Sequence, residues 1–413
     1  MTQKHYDIIF IGGGLANCLA AYRLQQTQPG VRMLMIEARQ RLCGDRTWSF
    51  HQSDLRCNHI ENALSWLKAF SPSSWPGYQV CFQNLKRRLD GSYVSIEAAN
   101  VRDLLSSMPG LDILYNETAQ ICAESGGVTL KDGRVFSSKL LVSATGTALN
   151  NDYKGGYQKF LGLKLRLSRE HGLTEPIIMD TRIDQFGSFR FVYVLPYNAR
   201  ELLVEDTYYS TYPEFSEADL QKRIESYAAD RGWQIETILY REKGCLPIPM
   251  APGSQKPKLE NFSQYHPETD TLSIKAGMAA GFFHPTTGYS IPEAIRFAEW
   301  LSVHFSRSKS EVYEASKLYY VDFFKRLMFY WRINNMLFCS GQPDNRHLIL
   351  EGFYTLPEKT IQRFYALRFT MSDFARLMFI GCKLVPLYEG LKAFYRQAEV
   401  KHDYHDNRLT ESI

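Results

Sequence analysis

A chain of 413 residues exceeds what one compact core usually carries, so two or three lobes around a sizeable interior are expected. With 45% hydrophobic and 22% charged residues it cannot be wholly disordered, and 48 basic against 44 acidic side chains, without a long Lys/Arg run, argue against nucleic acid as a partner. Its 25 Tyr and 25 Phe are many for a cytosolic enzyme and point to a large apolar molecule being handled.

The N-terminus enters a strand at once, with none of the basic, apolar and cleavage segments of a secretory signal. Tyr6-Asp7-Ile8-Ile9-Phe10-Ile11 runs into Gly12-Gly13-Gly14, after which Leu15, Leu19, Tyr22 and Leu24 recur at helical spacing; strand, tight turn and helix are predicted. Gly12 serves the backbone torsions of the turn. Gly14 lets the main chain approach a pyrophosphate, whose charge the helix start at Leu15 and Ala16 stabilises. The third glycine of G-x-G-x-x-G is absent and Asn17 stands there, which predicts a slightly wider gap between helix and strand. After Pro29-Gly30, Val31 to Ile36 forms a second strand ending in Glu37, where an acid accepts hydrogen bonds from an adenosine ribose. Residues 6 to 44 therefore read as the ADP-binding βαβ unit of a flavoprotein holding FAD. An acid at position 37 argues against a ribose 2′-phosphate. Ala38 to Gly44 resembles the E-(x)-G-G extension of FAD-binding proteins, with Cys43 in place of the first glycine.

Arg46 and Trp48 follow, by analogy on the substrate side of a flavin, although Trp48 reads equally as core. Arg102, in Asn100-Val101-Arg102-Asp103, resembles a helix-start arginine that reaches a flavin pyrophosphate, and reads as well as a surface ion-pairing residue. Leu140-Leu141-Val142-Ser143-Ala144-Thr145-Gly146 is a buried strand resembling the second element of many FAD domains, with Gly146 beside the cofactor; a plain core strand is the other reading. Ser273 to Gly281, then Pro285 to Ile291, opens a helix from Pro292 to about Phe305 and resembles the third such element. Gly277, Met278, Gly288 and Tyr289 are its expected cofactor contacts. Most flavoproteins carry an Asp where Met278 stands, and Met278 cannot accept the ribitol hydrogen bond that Asp does.

Between these elements, Phe189, Phe191, Tyr193 and Leu195 alternate with Arg190, Val192 and Val194, and Pro196 to Arg200 turns the chain into Glu201-Leu202-Leu203-Val204-Glu205-Asp206-Thr207. That is a hairpin. Strand alternation sends Glu205 and Asp206 to opposite faces, so only one can enter a pocket lined by the aromatic side. Two solvated carboxylates at a strand end is the bland reading.

From Ser310 the pattern is helical and aromatic, with Tyr319, Tyr320, Phe323, Phe324, Phe329, Tyr330 and Trp331 beside Lys325, Arg326 and Arg332. Phe369, Phe374, Met378, Phe379, Leu384 and Leu387 continue it, beside Arg368, Arg376 and Lys383. Such stripes read as core or as a one-sided membrane dock. No charge-free run of ~20 apolar residues is available to cross a bilayer. Cys18, Cys43, Cys57, Cys81, Cys122, Cys245, Cys339 and Cys382 show no C-x-x-C and read as reduced cytosolic thiols. No metal site is expected; His402 and His405, among Asp403 and Asp406, read as a solvated tail.

The fold class expected is α/β: a Rossmann-type FAD-binding domain from 1–75, 100–150 and 270–310, an inserted mixed or antiparallel β-sheet substrate domain from 76–99 and 151–269, and a C-terminal helical region, 311–413.

Four stretches, Ile11 to Asn17, Gly44-Asp45-Arg46-Thr47-Trp48-Ser49-Phe50, Val204-Glu205-Asp206-Thr207 and Gly281-Phe282-Phe283-His284-Pro285-Thr286-Thr287-Gly288-Tyr289-Ser290, resemble the bacterial lycopene β-cyclases over nearly the whole chain. The resemblance implies reduced FAD, NAD(P)H as ultimate reductant, and conversion of lycopene to β-carotene through γ-carotene. It also implies a peripheral protein on the inner face of the cell membrane, in contact with lipid and with other carotenoid enzymes. Glu205 resembles the essential glutamate of that family and is the expected acid/base or cation-stabilising carboxylate, with Asp206 second as its orienting partner. His284 reads as structural. An FAD monooxygenase, a prenyl reductase, a non-catalytic lipid carrier and an ε-type cyclase are the competing readings on this scaffold.

Overall fold

The computed structural model describes residues 4–122, 126–146, 155–250, 259–340, 342–381 and 386–395. Cys382, Lys383, Leu384, His402, Asp403, His405 and Asp406 lie outside them, as does the side chain of Leu387.

The first sheet has six strands in the order Ser263–His266, Thr271–Lys275, Leu140–Ser143, Ile8–Ile11, Met33–Glu37, Leu111–Tyr115, all parallel except the first, which runs antiparallel to its neighbour. Its central strands are apolar without alternation because both faces are covered. Helices Leu15–Thr27 and Ile291–His304 pack together on one face. A four-stranded sheet of Lys4–His5, Val135–Ser137, Gly127–Leu130 and Ala119–Cys122 covers the other, where Ile9, Ile11, Leu34, Ile36, Val128, Leu130 and Leu141 form one core. Parallel pairing of Ile11 with Ile36 and with Ser143 brings Gly12, Glu37 and Ala144 to one edge, the carboxyl ends where open α/β sheets take ligands.

A second sheet runs Ile235–Pro249, Gly155–Leu167, Glu201–Ser210, Phe189–Pro196, Ile177–Asp180, Ser73–Cys81, Lys86–Glu97, Thr47–His51. It is antiparallel apart from the pairing of Ile177–Asp180 with Ser73–Cys81. The predicted hairpin is there, with Tyr193 opposite Glu205. Its two faces enter different cores. Val192, Val194, Leu202, Val204, Leu161 and Leu163 pack under helix Glu217–Asp230 through Leu220, Ile224 and Tyr227, while Phe189, Phe191, Tyr193 and Leu203 face the main core. Thr47–His51 and Ser73–Cys81 belong to the second sheet, and Ser263–His266 to the first.

Beyond residue 308 the described chain is helical. Helix Lys309–Cys339 begins with a capping box in which the Ser308 hydroxyl accepts from Glu311 N–H and the Glu311 carboxylate accepts from Ser308 N–H. Val312, Tyr320, Phe323, Leu327, Tyr330 and Phe338 bury one stripe, whereas Leu318, Val321 and Met328 are exposed. Shorter helices Arg346–Phe353, Glu358–Tyr365, Met371–Gly381 and Leu387–Tyr395 pack around it.

Candidate active site

A cavity of about 750 Å3 opens where the two sheets meet, a volume within the range of cofactor and substrate sites. One end is a glycine cradle. Gly12 has φ +93°, which an L side chain rarely adopts, while a Cβ on Gly14 would meet nothing within 4 Å and would project into open space. No side chain caps helix Leu15–Thr27 and no acid lies in its first turn, so the N–H groups at Leu15 and Ala16 are left for an external anion. Glu37 lines the cavity, its Oε2 accepting Gly13 N–H at 2.6 Å and its Oε1 accepting Arg39 N–H at 2.9 Å. Asn17 is fully buried at the third-glycine position, donating through Nδ2 to the carbonyl of Gly12 at 2.8 Å and of Ile11 at 3.2 Å. Cys43 adopts φ +64°, so it takes the conformation that the glycine it replaces would take, and its N–H donates to Gly13 O.

Gly146, Gly277, Met278, Gly288 and Tyr289 all line the same cavity, as do Arg46 and Trp48. Gly277 has φ +57° and sits where a Cβ would lie 3.0 Å from Ala16 Cβ, tying the third element to the cradle. Arg102 does not line the cavity. It donates to Gly44 O and lies 3.7 Å from Asp45, bracing the loop that precedes Arg46. An extended dinucleotide fits this cradle: uncapped helix N–H groups, an acid at the end of the second strand and room above Gly14 are what its pyrophosphate and ribose need.

The other end is walled by Phe160, Phe191, Tyr193, Tyr209, Tyr289 and Tyr365. Hydroxyls of Tyr193, Tyr93 and Tyr289 form a chain with O···O distances of 2.9 and 2.8 Å, and Tyr193 donates to Ser49 at 2.8 Å. Burial pushes the ionisation of all three phenols up, so they remain neutral donors. Glu205 projects into this end. Burial raises its carboxyl to about 7, against the Thr207 hydroxyl, which donates to Oε1 at 2.5 Å, and the charge of Arg46. Burial in turn lowers the Arg46 ionisation.

Asp206 is not brought to the cavity. The pleat turns it to the opposite face, where Arg190 holds it in a bidentate pair, so it is not placed to orient Glu205. Glu242, which the sequence reading did not single out, does line the cavity, and its carboxyl is raised well above the ordinary range by burial and then by the charge of Glu205. His284 is fixed structurally, with Nε2 3.0 Å from Phe364 O and Nδ1 accepting from Thr286 and Thr287 N–H. A smaller apolar cavity of about 100 Å3 adjoins the first. The two share Met179, Tyr209, Thr287 and Tyr365, and the second extends between helices past Ile333, Met336, Leu350 and Leu377.

Cradle, sheet order and cavity together define a protein of the Rossmann flavoprotein fold class. The chain is similar to a probable FAD-dependent monooxygenase from Pseudomonas aeruginosa (TM-score 0.57, 14% identity, 86% of this chain and 100% of that one). It is also similar to a geranylgeranyl bacteriochlorophyll reductase-like protein from Thermoplasma acidophilum (TM-score 0.59, 14% identity, 95% and 100%). Within that class the chain belongs to the lycopene cyclase family, whose profile, described as lycopene cyclase protein, matches residues 7–388. A lycopene beta-cyclase from Pantoea ananas is 37% identical over 391 residues, covering 95% of this chain and 98% of the relative.

Proposed function

We propose that the protein is a carotenoid cyclase that closes both ends of lycopene to give β-carotene through γ-carotene. Full-length similarity to a lycopene beta-cyclase supports the reading, and one observation carries it: Glu205 stands in an aromatic-walled cavity continuous with the glycine cradle. Cyclisation is redox-neutral. A proton adds to the terminal alkene, the tertiary cation is attacked by the next alkene, and a ring proton leaves. Such a reaction needs a general acid, negative charge near the cation and exclusion of water. Glu205, raised to about 7 by burial, is poised to hold a proton at neutral pH and to take one back. Phe191, Tyr193 and Tyr289 wall off solvent and offer π faces to the cation.

FAD is the cofactor in this reading, reduced by NAD(P)H. Gly12, Gly14, Leu15 and Ala16 would hold its pyrophosphate, Glu37 the ribose, and Gly146, Gly277, Met278, Gly288 and Tyr289 the flavin half, with Arg46 on its substrate side. Bound and reduced, it would supply an electron-rich ring that favours positive charge in the substrate. Arg102 acts through the Gly44 loop. The apolar side cavity, at about 100 Å3, takes only the stretch of polyene next to the reacting end.

The polyene reaches the site from lipid. No helix among the described residues is long and apolar enough to cross a membrane. Leu318, Met371, Phe379, Tyr388 and Tyr395 are exposed and would make the contact with the inner surface of the cell membrane. Detergent should release the protein from the membrane fraction; full recovery without detergent would count against docking.

Coexpression in a lycopene-accumulating bacterium tests the activity. Wild type should turn red colonies orange-yellow and Glu205→Gln should not, while still retaining flavin. Oxygen or hydride consumption in step with product would instead mark the monooxygenase or reductase chemistry found on related folds.

A further inference from the structure

Glu242 and Glu205 stand on either side of a glycine in the second sheet and line the same cavity. On the Gly155–Leu167 strand, Gly162 pairs with Glu205 on one side and with Glu242 on the other. Directly opposed residues of an antiparallel sheet present side chains to the same face, so the three form one rung with a carboxyl at each end and no side chain on its central residue. Glu242 leans into the vacancy: a Cβ on residue 162 would lie 2.8 Å from Glu242 Cγ and 3.1 Å from its Oε1. Oε2 of Glu242 accepts Thr47 N–H at 2.6 Å, which leaves Oε1, on the glycine side, to carry a proton.

Other charged and titratable groups around the rung are Arg46, Tyr289, Tyr240, Tyr197 and Glu97, the last paired with Lys164 at 2.5 Å. Asp206 lies on the other face of the sheet, paired with Arg190, and its charge adds to the rise at Glu205. Arg46 can balance one negative charge on the rung. A second would stand buried beside the first, an arrangement that two neighbouring carboxylates avoid by keeping a proton.

We propose that Glu242 is the proton-sharing partner of Glu205, a positioning residue that stores the proton Glu205 delivers to the polyene and receives it again at ring closure. This rests on the cyclase reading above. In each ring closure an O–H bond of the pair breaks as a C–H bond forms at the terminal alkene, the ring C–C bond closes, and a ring C–H bond breaks as the O–H bond re-forms. No electron is gained or lost, and the pair returns to its starting charge.

Glu242→Gln removes the shared proton and the second charge but keeps a carbonyl oxygen for Thr47 N–H. Gly162→Ala keeps both acids and forces them apart. Two readouts apply to the flavin-loaded protein: infrared titration of the buried carboxyl C=O band, and the pH profile of lycopene conversion. In wild type the last proton leaves the pair late, because its loss creates two adjacent charges. In Glu242→Gln the band of Glu205 should vanish about one pH unit lower, and the alkaline limb of activity should move down with it. Conversion at pH 8 should fall by up to about tenfold, and Glu242→Asp should restore part of it. Gly162→Ala should shift both readouts in the same direction. Wild-type midpoints in both Glu242→Gln and Gly162→Ala would overturn the proposal; if Glu242→Gln does not hold flavin, Gly162→Ala decides by the same criterion. Should wild type form no β-carotene, the cyclase reading fails, and the infrared titration still judges the pair.

Discussion

Arg190 and Asp206 form a bidentate ion pair beneath helix Glu217–Asp230, with Nη2 2.6 Å from Oδ2, and their side chains are 6% and 0% exposed. Removing one partner of such a pair leaves the other charge buried, at a cost of about 3–5 kcal/mol. Asp206→Asn should therefore lower the unfolding midpoint markedly while leaving the aromatic cavity chemistry to Glu205. Thermal unfolding checks this; an unchanged midpoint would show the pair to be dispensable.

Gly14→Val separates binding from folding. Its side chain would enter open cavity rather than protein, so the fold should persist and flavin should be lost. Gly12→Val differs, because φ +93° and a Cβ about 3.1 Å from Thr145 impose backbone strain as well. Flavin absorbance against circular dichroism should therefore split in the first variant and fall together in the second.

His51 and His284 are buried and neutral, held down to about 3 and about 4 by burial. In the unfolded chain each gains a proton near pH 6.5. Below that value the unfolded state binds more protons than the folded one, so stability drops as pH falls towards about 4, by about 1.4 kcal/mol per pH unit for each histidine. His51→Asn, which keeps an acceptor at the start of helix Gln52–Arg56, should flatten that slope in denaturant titrations. An equal slope in the variant would assign the acid lability elsewhere.

Leu377→Trp fills the apolar side cavity without approaching the cradle. Lycopene conversion should fall at least about tenfold as the stretch of polyene next to the reacting end loses its place, with flavin content unchanged. Wild-type turnover would remove this cavity from the substrate path.

The cradle was legible in the sequence because turn torsions and helix starts are local: Gly12, Gly14 and Glu37 lie within one βαβ unit. The hairpin was legible for the same reason, through period-two alternation in Phe189–Pro196. Which acid faces the cavity was not, since that depends on long-range register with Gly155–Leu167. Glu242 escaped notice because it joins the site only by pairing through Gly162, and its neighbours Arg241 and Lys243 suggest an ordinary solvated strand. A glycine amid the apolar run Phe160-Leu161-Gly162-Leu163 was the available clue. The C-terminal aromatics divided: Tyr320, Phe323 and Tyr330 are core, while Phe379 is exposed. Asn17 replaces a glycine by supplying hydrogen bonds, which spacing rules do not anticipate.

Glu205 and Asp206 are adjacent in sequence yet belong to unlike surroundings, one lining the aromatic cavity and one set in the scaffold beneath a helix. Parity along the strand assigns them. A single-residue insertion before Glu205 that propagated along Glu201–Ser210 would exchange the two, setting the longer glutamate side chain beside Arg190 and turning the shorter aspartate toward the cavity. Point changes in this ribbon can be gradual in effect; a frame slip there is all or nothing.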